Sequence, residues 1–218
     1  PELPVVSVEC SATVTAPTAT DNCAGSIAGT TDDPLTYTEQ GTYTITWTYD
    51  DGNGNVETQT QTVIVKDISK PVPDVKTLPT ITGECSATVS EAPIATDNFA
   101  GTIIGTTNDP LSYTEQGTYT ITWTYDDGNG NIETQTQTVI VKDVTKPVPD
   151  VASLPTIRGE CSATVTAVPT ATDNCAGSIT GKTNDDLTFT GQGTYTITWI
   201  YDDGNGNVTT QTQEVVVD

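Results

Sequence analysis

The stretch Gly41-Thr-Tyr-Thr-Ile-Thr-Trp-Thr-Tyr-Asp-Asp-Gly-Asn-Gly-Asn55 decides the fold. Tyr43, Ile45, Trp47 and Tyr49 alternate with Thr42, Thr44, Thr46 and Thr48. A spacing of two is the mark of a strand with one buried face, so the aromatic residues read as core. The Asp, Gly and Asn residues that follow read as a hairpin connection into a last strand over 56–65. The inward face of that strand is ambiguous. Gln59, Gln61, Val63 and Val65 share one parity, Thr58, Thr60, Thr62 and Ile64 the other, and a bulge that switches faces midway is expected.

The same phrase recurs at Gly117 to Asn131 and, nearly unchanged, at Gly193 to Asn207, a period of 76 residues. Pro-rich segments, Lys70-Pro-Val-Pro-Asp74 and Lys146-Pro-Val-Pro-Asp150, separate the copies. These marks predict three domains over 1–69, 70–145 and 146–218. Each is below the usual domain size and has a modest core. The first repeat lacks the KPVPDV opening and the third stops at Val215-Val-Val-Asp218, which predicts further repeats in a parent protein. Thr supplies 47 of the 218 residues, and a β-branched side chain suits strands. With no helical pattern anywhere, the expectation is an all-β chain of three tandem immunoglobulin-like β-sandwich domains in an elongated array.

Charge and composition exclude several functions. The 29 acidic and 7 basic residues leave a net charge of -22, which disfavours nucleic acid and anionic lipid and invites cations. No His is present, so imidazole-based catalysis and imidazole metal sites are absent. No run of about 18 apolar residues predicts membrane insertion. The adjacent pair Asp50 and Asp51 could serve as acid and base only if both faced one substrate, but neighbouring residues of a strand point to opposite faces. No enzyme is expected.

Taken together, the acidic Pro-containing linker, ECSATV, the AxxATDNC phrase, GTYTITWTYDDGNGN and the closing VIVKD resemble the hyalin-repeat (HYR-like) domains of bacterial surface and secreted proteins. The resemblance covers nearly the whole chain. It implies an immunoglobulin-like extracellular module, strung in tandem, associated with adhesion and carrying no catalytic residues. Animal hyalin repeats place the partner of their first Cys in the last strand, where this chain has Gln59 or a neighbour, so the cysteines are read locally.

Cys10 and Cys23 are 13 residues apart and Cys161 and Cys175 are 14 apart, at equivalent places in the first and third repeats. Each pair reads as a disulfide. In the second repeat Cys85 faces a partner position occupied by Phe99, which leaves Cys85 as a free thiol, either buried or linked to another chain.

Acidic residues concentrate at Asp21, Asp97 and Asp173 in the TDN phrases, at Asp50 with Asp51, Asp126 with Asp127 and Asp202 with Asp203 in the loops, and at Asp67 and Asp143 in the linkers. The loop fails the EF-hand pattern, since Val56 stands where that motif needs Gly and Thr62 where it needs Glu. A looser calcium site at the domain junctions is one of two readings, because hard cations take carboxylate, amide and carbonyl oxygens. Ordinary turn chemistry is the alternative for the same residues. Surface Thr and the sequon Asn207-Val-Thr209 offer glycan acceptors.

The function expected is a non-catalytic extracellular segment, on a bacterial cell surface or secreted. It would act as a stalk, an adhesin spacer or a filament subunit, with calcium ions and neighbouring repeats or self-association as partners. The alternatives are a carbohydrate- or receptor-binding adhesion module and an O-glycosylated fibre coated with glycans.

Overall fold

The computed structural model describes residues 2–218, and among them every regular element is a strand. The first repeat shows the pattern. Its strands are β1 (Val6–Val8), β2 (Ala12–Thr13), β3 (Thr18–Asp21), β4 (Gly25–Ala28), β5 (Thr36–Tyr37), β6 (Gly41–Asp50) and β7 (Val56–Val65). β6 and β7 pair antiparallel without interruption, from Gly41 opposite Val65 to Asp50 opposite Val56. β1 adds parallel to the far end of β7, with Val6 opposite Val63 and Val8 opposite Val65. Facing this sheet are the β3–β4 hairpin and the short β2–β5 pair, which makes a β-sandwich-like layer around one core. The third repeat has the same layout, with Gly193–Asp202, Val208–Val217 and Ile157–Gly159 in its main sheet.

Alternation along β6 places Ile45, Trp47 and Tyr49 inside, together with Val63 and Val65 from β7 and Ala12, Val14 and Tyr37 from the opposite layer. Trp47 is 1% exposed and Trp199 2%. The aromatic residues are core, as the spacing requires. Each fully buried Val or Ile contributes roughly 1.5–3 kcal/mol.

The expected bulge in β7 is absent. Its register is continuous, and Gln59, Gln61, Val63 and Val65 form the inward face throughout. The reason is the indole. A buried Trp N–H needs an acceptor, and Gln61 supplies it: Trp47 Nε1 donates to Gln61 Oε1 at 3.0 Å. Gln61 Nε2 then donates to the carbonyl of Pro4 at 3.0 Å, and the Tyr49 hydroxyl donates to Gln59 Oε1 at 3.3 Å. The third repeat repeats the device with Trp199, Gln213 and the carbonyl of Pro155. These glutamines belong to the core as the partners of its polar edges.

Two compact units divide the chain. One contains the residues up to Thr77 with Ala92–Thr107 and Thr122–Gln135; the other contains Leu78–Glu91, Asn108–Ile121 and Thr136–Asp218. The first holds the whole sandwich of the first repeat and the Ile94–Asp97 hairpin of the second. The second holds the whole sandwich of the third repeat and the Ile81–Gly83 strand of the second. The Pro-containing linkers are pinned as edge strands. Val72–Pro73 pairs with Ala95 and Thr96 in the first unit, and Val148–Pro149 pairs with Ala171 and Thr172 in the second. An edge is where a residue without an N–H is tolerated.

Replacing Gln61 by Leu keeps the volume but leaves the Trp47 N–H and the Pro4 carbonyl without their partner. An unsatisfied buried group costs about 1–3 kcal/mol, so the Gln61→Leu chain is expected to unfold at lower urea concentration, with the slope of the transition unchanged.

Candidate functional site

The length of the β6–β7 pair gives each repeat two poles. At one pole Glu9-Cys10-Ser11 follows β1 and lies beside the end of β7, because Val8 pairs with Val65. At the other, the turn joining β3 to β4 faces the β6–β7 loop, and Asp21 shares an open cleft of about 280 Å³ with Asp51 and Asn55. A ten-residue strand rising about 3.3 Å per residue separates these poles by roughly 30 Å.

This distance corrects the expected cysteine pairing. A disulfide needs Cα atoms within about 7 Å, and Cys10 and Cys23 lie at opposite poles. Cys161 and Cys175 do too, since Gly159 pairs with Val217 while Asp173 lies beside Asp203. Neither expected pair forms. Instead Cys85 bonds Cys175, 90 residues away, with Cα atoms 5.0 Å apart. Cys85, expected as the free thiol, is therefore a bonded one. Cys10, Cys23 and Cys161 are free and exposed.

The disulfide joins the Glu-Cys-Ser pole of the second repeat to the Asp-Asn-Cys pole of the third, inside the second unit. Around it, the Glu84 carboxylate accepts from Asn174 Nδ2 at 2.7 Å and from the Thr145 hydroxyl at 2.9 Å. The first unit builds the same junction between the first and second repeats. There Glu9 accepts from Asn98 Nδ2 and from the Ser69 hydroxyl, both at 3.1 Å, and the Cys10 thiol donates to the Asn98 carbonyl at 3.6 Å. Phe99 stands where Cys175 stands in the second unit, and it packs against the core of the first repeat.

Beside each junction three carboxylates converge. In the first unit they are Asp67 from the linker, Asp97 from the turn and Asp127 from the loop; in the second they are Asp143, Asp173 and Asp203. One oxygen of each lies within 4.8 Å of the others in its group. Asp67 is 1% exposed, Asp97 5% and Asp127 9%. Local geometry sets their orientation. Asp97 Oδ1 caps its turn by accepting the N–H groups of Phe99 and Ala100, as Asp173 Oδ1 accepts those of Cys175 and Ala176. Asp127 accepts the N–H groups of Asn129 and Asn131 and the side-chain amide of Asn131. Asn129 Nδ2 donates to Asp67 at 3.0 Å, and Asn205 Nδ2 to Asp143 at 3.0 Å. The second oxygens of Asp97 and Asp173 are buried with no hydrogen-bond partner.

Gathered buried carboxylates repel, and either protonation or a cation relieves them. The loop members resist protonation. Burial raises the pKa of Asp127, but hydrogen bonds from the Asn131 side chain and from the N–H groups of Asn129 and Asn131 outweigh it and hold the carboxyl below its ordinary value. Asp203 is lowered in the same way, against burial, by Asn207 and by the N–H group of Asn205. The donor set is all oxygen: three carboxylates, with the Asp67 carbonyl and the Asn side chains beside them. Such a set fits a hard divalent cation of calcium type, which takes six to eight oxygens.

The remaining acidic residues fall elsewhere. Asp50, Asp126 and Asp202 are exposed, and each accepts the N–H of the Gly two residues on. They share the parity of the outward Thr residues and lie outside the clusters. Asp21 and Asp51 form the two-carboxylate counterpart in the first repeat, where Asp21 is lowered by the N–H groups of Ala24 and Cys23; no third carboxylate completes that pair among the described residues. Glu9 and Glu84 were not picked out from the sequence, although the recurring Glu-Cys-Ser phrase carries them. Asn207, the sequon residue, already donates to Asp203 at 2.7 Å and to the Asp143 carbonyl at 3.4 Å.

Residues 3–65 match the family described as the HYR-like domain with 4 cysteines. Over 93% of its length the chain is 33% identical to hyalin of Strongylocentrotus purpuratus, and over 90% it is 32% identical to hyalin of Lytechinus variegatus. The chain is similar to these hyalins over most of its own length. It spans 18% and 40% of the lengths of those two hyalins. Neither relative supports the bacterial attribution. Among solved structures, mouse clustered protocadherin PcdhgC3 EC1-3 aligns at TM-score 0.33 and 15% identity, covering 81% of this chain and 76% of that one. Drosophila N-cadherin EC1-4 aligns at TM-score 0.32 and 10% identity, covering 96% and 66%. No helix among the described residues is long and apolar enough to cross a membrane.

Equivalence of the two junctions has a direct test. Phe99→Cys is expected to bond Cys10, so the oxidised variant titrates with two free thiols where the parent has three; four free thiols would show that the junctions differ. Opening the native bond with Cys175→Ser removes the constraint on a loop of 90 residues. That constraint is worth roughly 4–5 kcal/mol in the chain-entropy model, and the loss is read as a lower denaturation midpoint.

Proposed function

We propose that this chain is a segment of an extracellular, non-catalytic adhesion-type repeat protein, a stalk, spacer or fibre element whose repeats are clamped to one another by calcium at their junctions. The observation that carries this reading is the carboxylate triad at each junction, Asp67–Asp97–Asp127, all buried, and Asp143–Asp173–Asp203, of which Asp203 is half-buried, with one oxygen of Asp97 and of Asp173 unpartnered. Each triad draws one member from a linker and two from the repeat that follows it. A divalent ion there would tie the two repeats and offset part of a net charge of -22. The hyalins with which the chain shares its sequence pattern are the context for the extracellular assignment.

The sequence supplies no imidazole, and the paired loop carboxylates are engaged in their own turns. A carbohydrate-binding reading gains no aromatic platform, because the aromatic rings are packed: Trp47 and Tyr49 in the core, and Tyr43 stacked on Tyr37 with ring centroids 4.3 Å apart.

Calorimetric titration of the chelator-stripped chain with calcium is the test. Two tight sites are expected, with melting raised by about 2.7 kcal/mol of stabilisation per site at a free calcium concentration 100-fold above Kd. Asp97→Asn should abolish one site and Asp173→Asn the other, while Asp126→Asn, in the exposed position, should leave both. Calcium that neither binds nor shifts the melt would remove the clamp from this reading.

A further inference from the structure

Each junction loop carries two asparagines with different partners. In the loop Asp126-Asp-Gly-Asn-Gly-Asn131, Asn131 holds the loop itself, donating from Nδ2 to Asp127, and it is followed by the β-branched Ile132. Asn129 turns its amide toward the linker instead, donating to Asp67 Oδ2 at 3.0 Å, and it is followed by Gly130. The second unit repeats the division. Asn207 donates to Asp203 and precedes Val208, whereas Asn205 donates to Asp143 at 3.0 Å and precedes Gly206. The residue after an asparagine sets how readily it deamidates, because the next backbone nitrogen must reach the side-chain carbonyl carbon, and glycine has no Cβ to obstruct the approach. Gly130 and Gly206 lie at φ +101° and +102°, and no other part of the chain lies within 4 Å of where a Cβ would stand. Asn129 is half-buried and Asn205 exposed, so water reaches both.

We propose that Asn129 and Asn205 are sites of spontaneous deamidation, and that their conversion to aspartate supplies each junction triad with a fourth carboxylate. The second half of the proposal rests on the calcium reading; the first does not. The Gly130 nitrogen attacks Cγ of Asn129 and closes a cyclic imide, while the side-chain nitrogen leaves as ammonia with the proton of the Gly130 N–H. Water then opens the ring, giving aspartate when the side-chain carbonyl is cleaved and isoaspartate when the backbone carbonyl is. One water is consumed and one ammonia released, with no oxidant or reductant. Asp127 and Asp203 also precede glycines, but their hydrogen-bond donors hold them ionised, and a carboxylate anion resists attack by nitrogen. Asn53, followed by Gly54, converts by the same rule but lies beside the two-carboxylate pair of the first repeat.

Conversion reverses the sign of one contact. The amide donates to the linker carboxylate, whereas a carboxylate in its place only accepts. An attraction becomes a like-charge repulsion beside Asp67, Asp97 and Asp127, and without a cation the junction is loosened. With a calcium-type ion the same group is an added ligand, and affinity at such sites is tuned by the number of charged ligands. Asp97 and Asp173, 5% and 4% exposed, each keep one oxygen without a hydrogen-bond partner in these clusters, so each cluster offers a cation an acceptor that nothing else engages.

The test incubates the full chain in chelator at mildly alkaline pH and follows it by peptide mass spectrometry. The mass gain of deamidation is expected at Asn129 and Asn205 well before Asn131 and Asn207. Equal rates at all four, or no gain at Asn129 and Asn205, would overturn the assignment. The aspartate form is made directly as the double variant Asn129→Asp, Asn205→Asp. Relative to the parent it should bind calcium about tenfold more tightly and unfold at a lower denaturant concentration in chelator; calcium binding no tighter than the parent's removes the fourth ligand. If neither parent nor variant takes up calcium, the clamp falls together with that ligand, while the mass gain decides the modification by itself.

Discussion

An unbroken antiparallel pair of ten-residue strands governs everything else in this chain. Its length keeps the Glu-Cys-Ser segment and the Asp-Asn turn apart, so groups that are close in sequence cannot meet within one repeat. They can meet only across a junction, where one end of a repeat faces the other end of the next. Disulfide, carboxylate triad and the glutamate-to-asparagine hydrogen bonds all lie at such a meeting. The junction is thus a consequence of strand length as much as of the residues that line it.

The pair in turn depends on satisfying a large buried indole. A Trp at the centre of so small a core contributes much of its apolar burial, but its N–H must be paired or the gain is largely lost. The glutamine opposite performs this task and also reaches back to the carbonyl of the segment preceding the first strand, at Pro4 in the first repeat and Pro155 in the third. One polar side chain therefore joins three pieces of chain: the aromatic strand, the last strand and the entry segment. This also explains why a face reading Gln, Gln, Val, Val is continuous despite its mixed polarity.

Much of this was legible in the sequence. Strict alternation at Tyr43, Ile45, Trp47 and Tyr49 specified the strand and its buried face, and the recurring TDN and DDGNGN phrases marked where acid would gather. What was not legible follows from the same causes. Polarity alone does not reveal that Gln61 faces inward, because its partner is an N–H on another strand. The parity of β6 did carry the distinction between Asp50 and Asp51: Asp50 continues the outward Thr series, and the residue after it turns toward the junction. Cysteine pairing was misread because sequence proximity was taken for spatial proximity. Equivalent spacing within the first and third repeats fits a link within each repeat and a link between repeats equally well, and only strand length separates them.

Phe99 shows which part of the junction is essential to the design and which is interchangeable. Where the second unit has a covalent bond, the first has an aromatic ring packed against the neighbouring core. Both units nevertheless keep the glutamate, the asparagine and all three aspartates in equivalent places. Apolar packing and a disulfide are thus alternative ways of holding the same two surfaces together. The carboxylate cluster has no alternative between the two units, although gathering three buried acids opposes association unless a positive charge joins them. An arrangement that keeps its most unfavourable element while exchanging its favourable one is explained if that element is completed by a cation, and the geometry at Asp67, Asp97 and Asp127 is where that completion would occur.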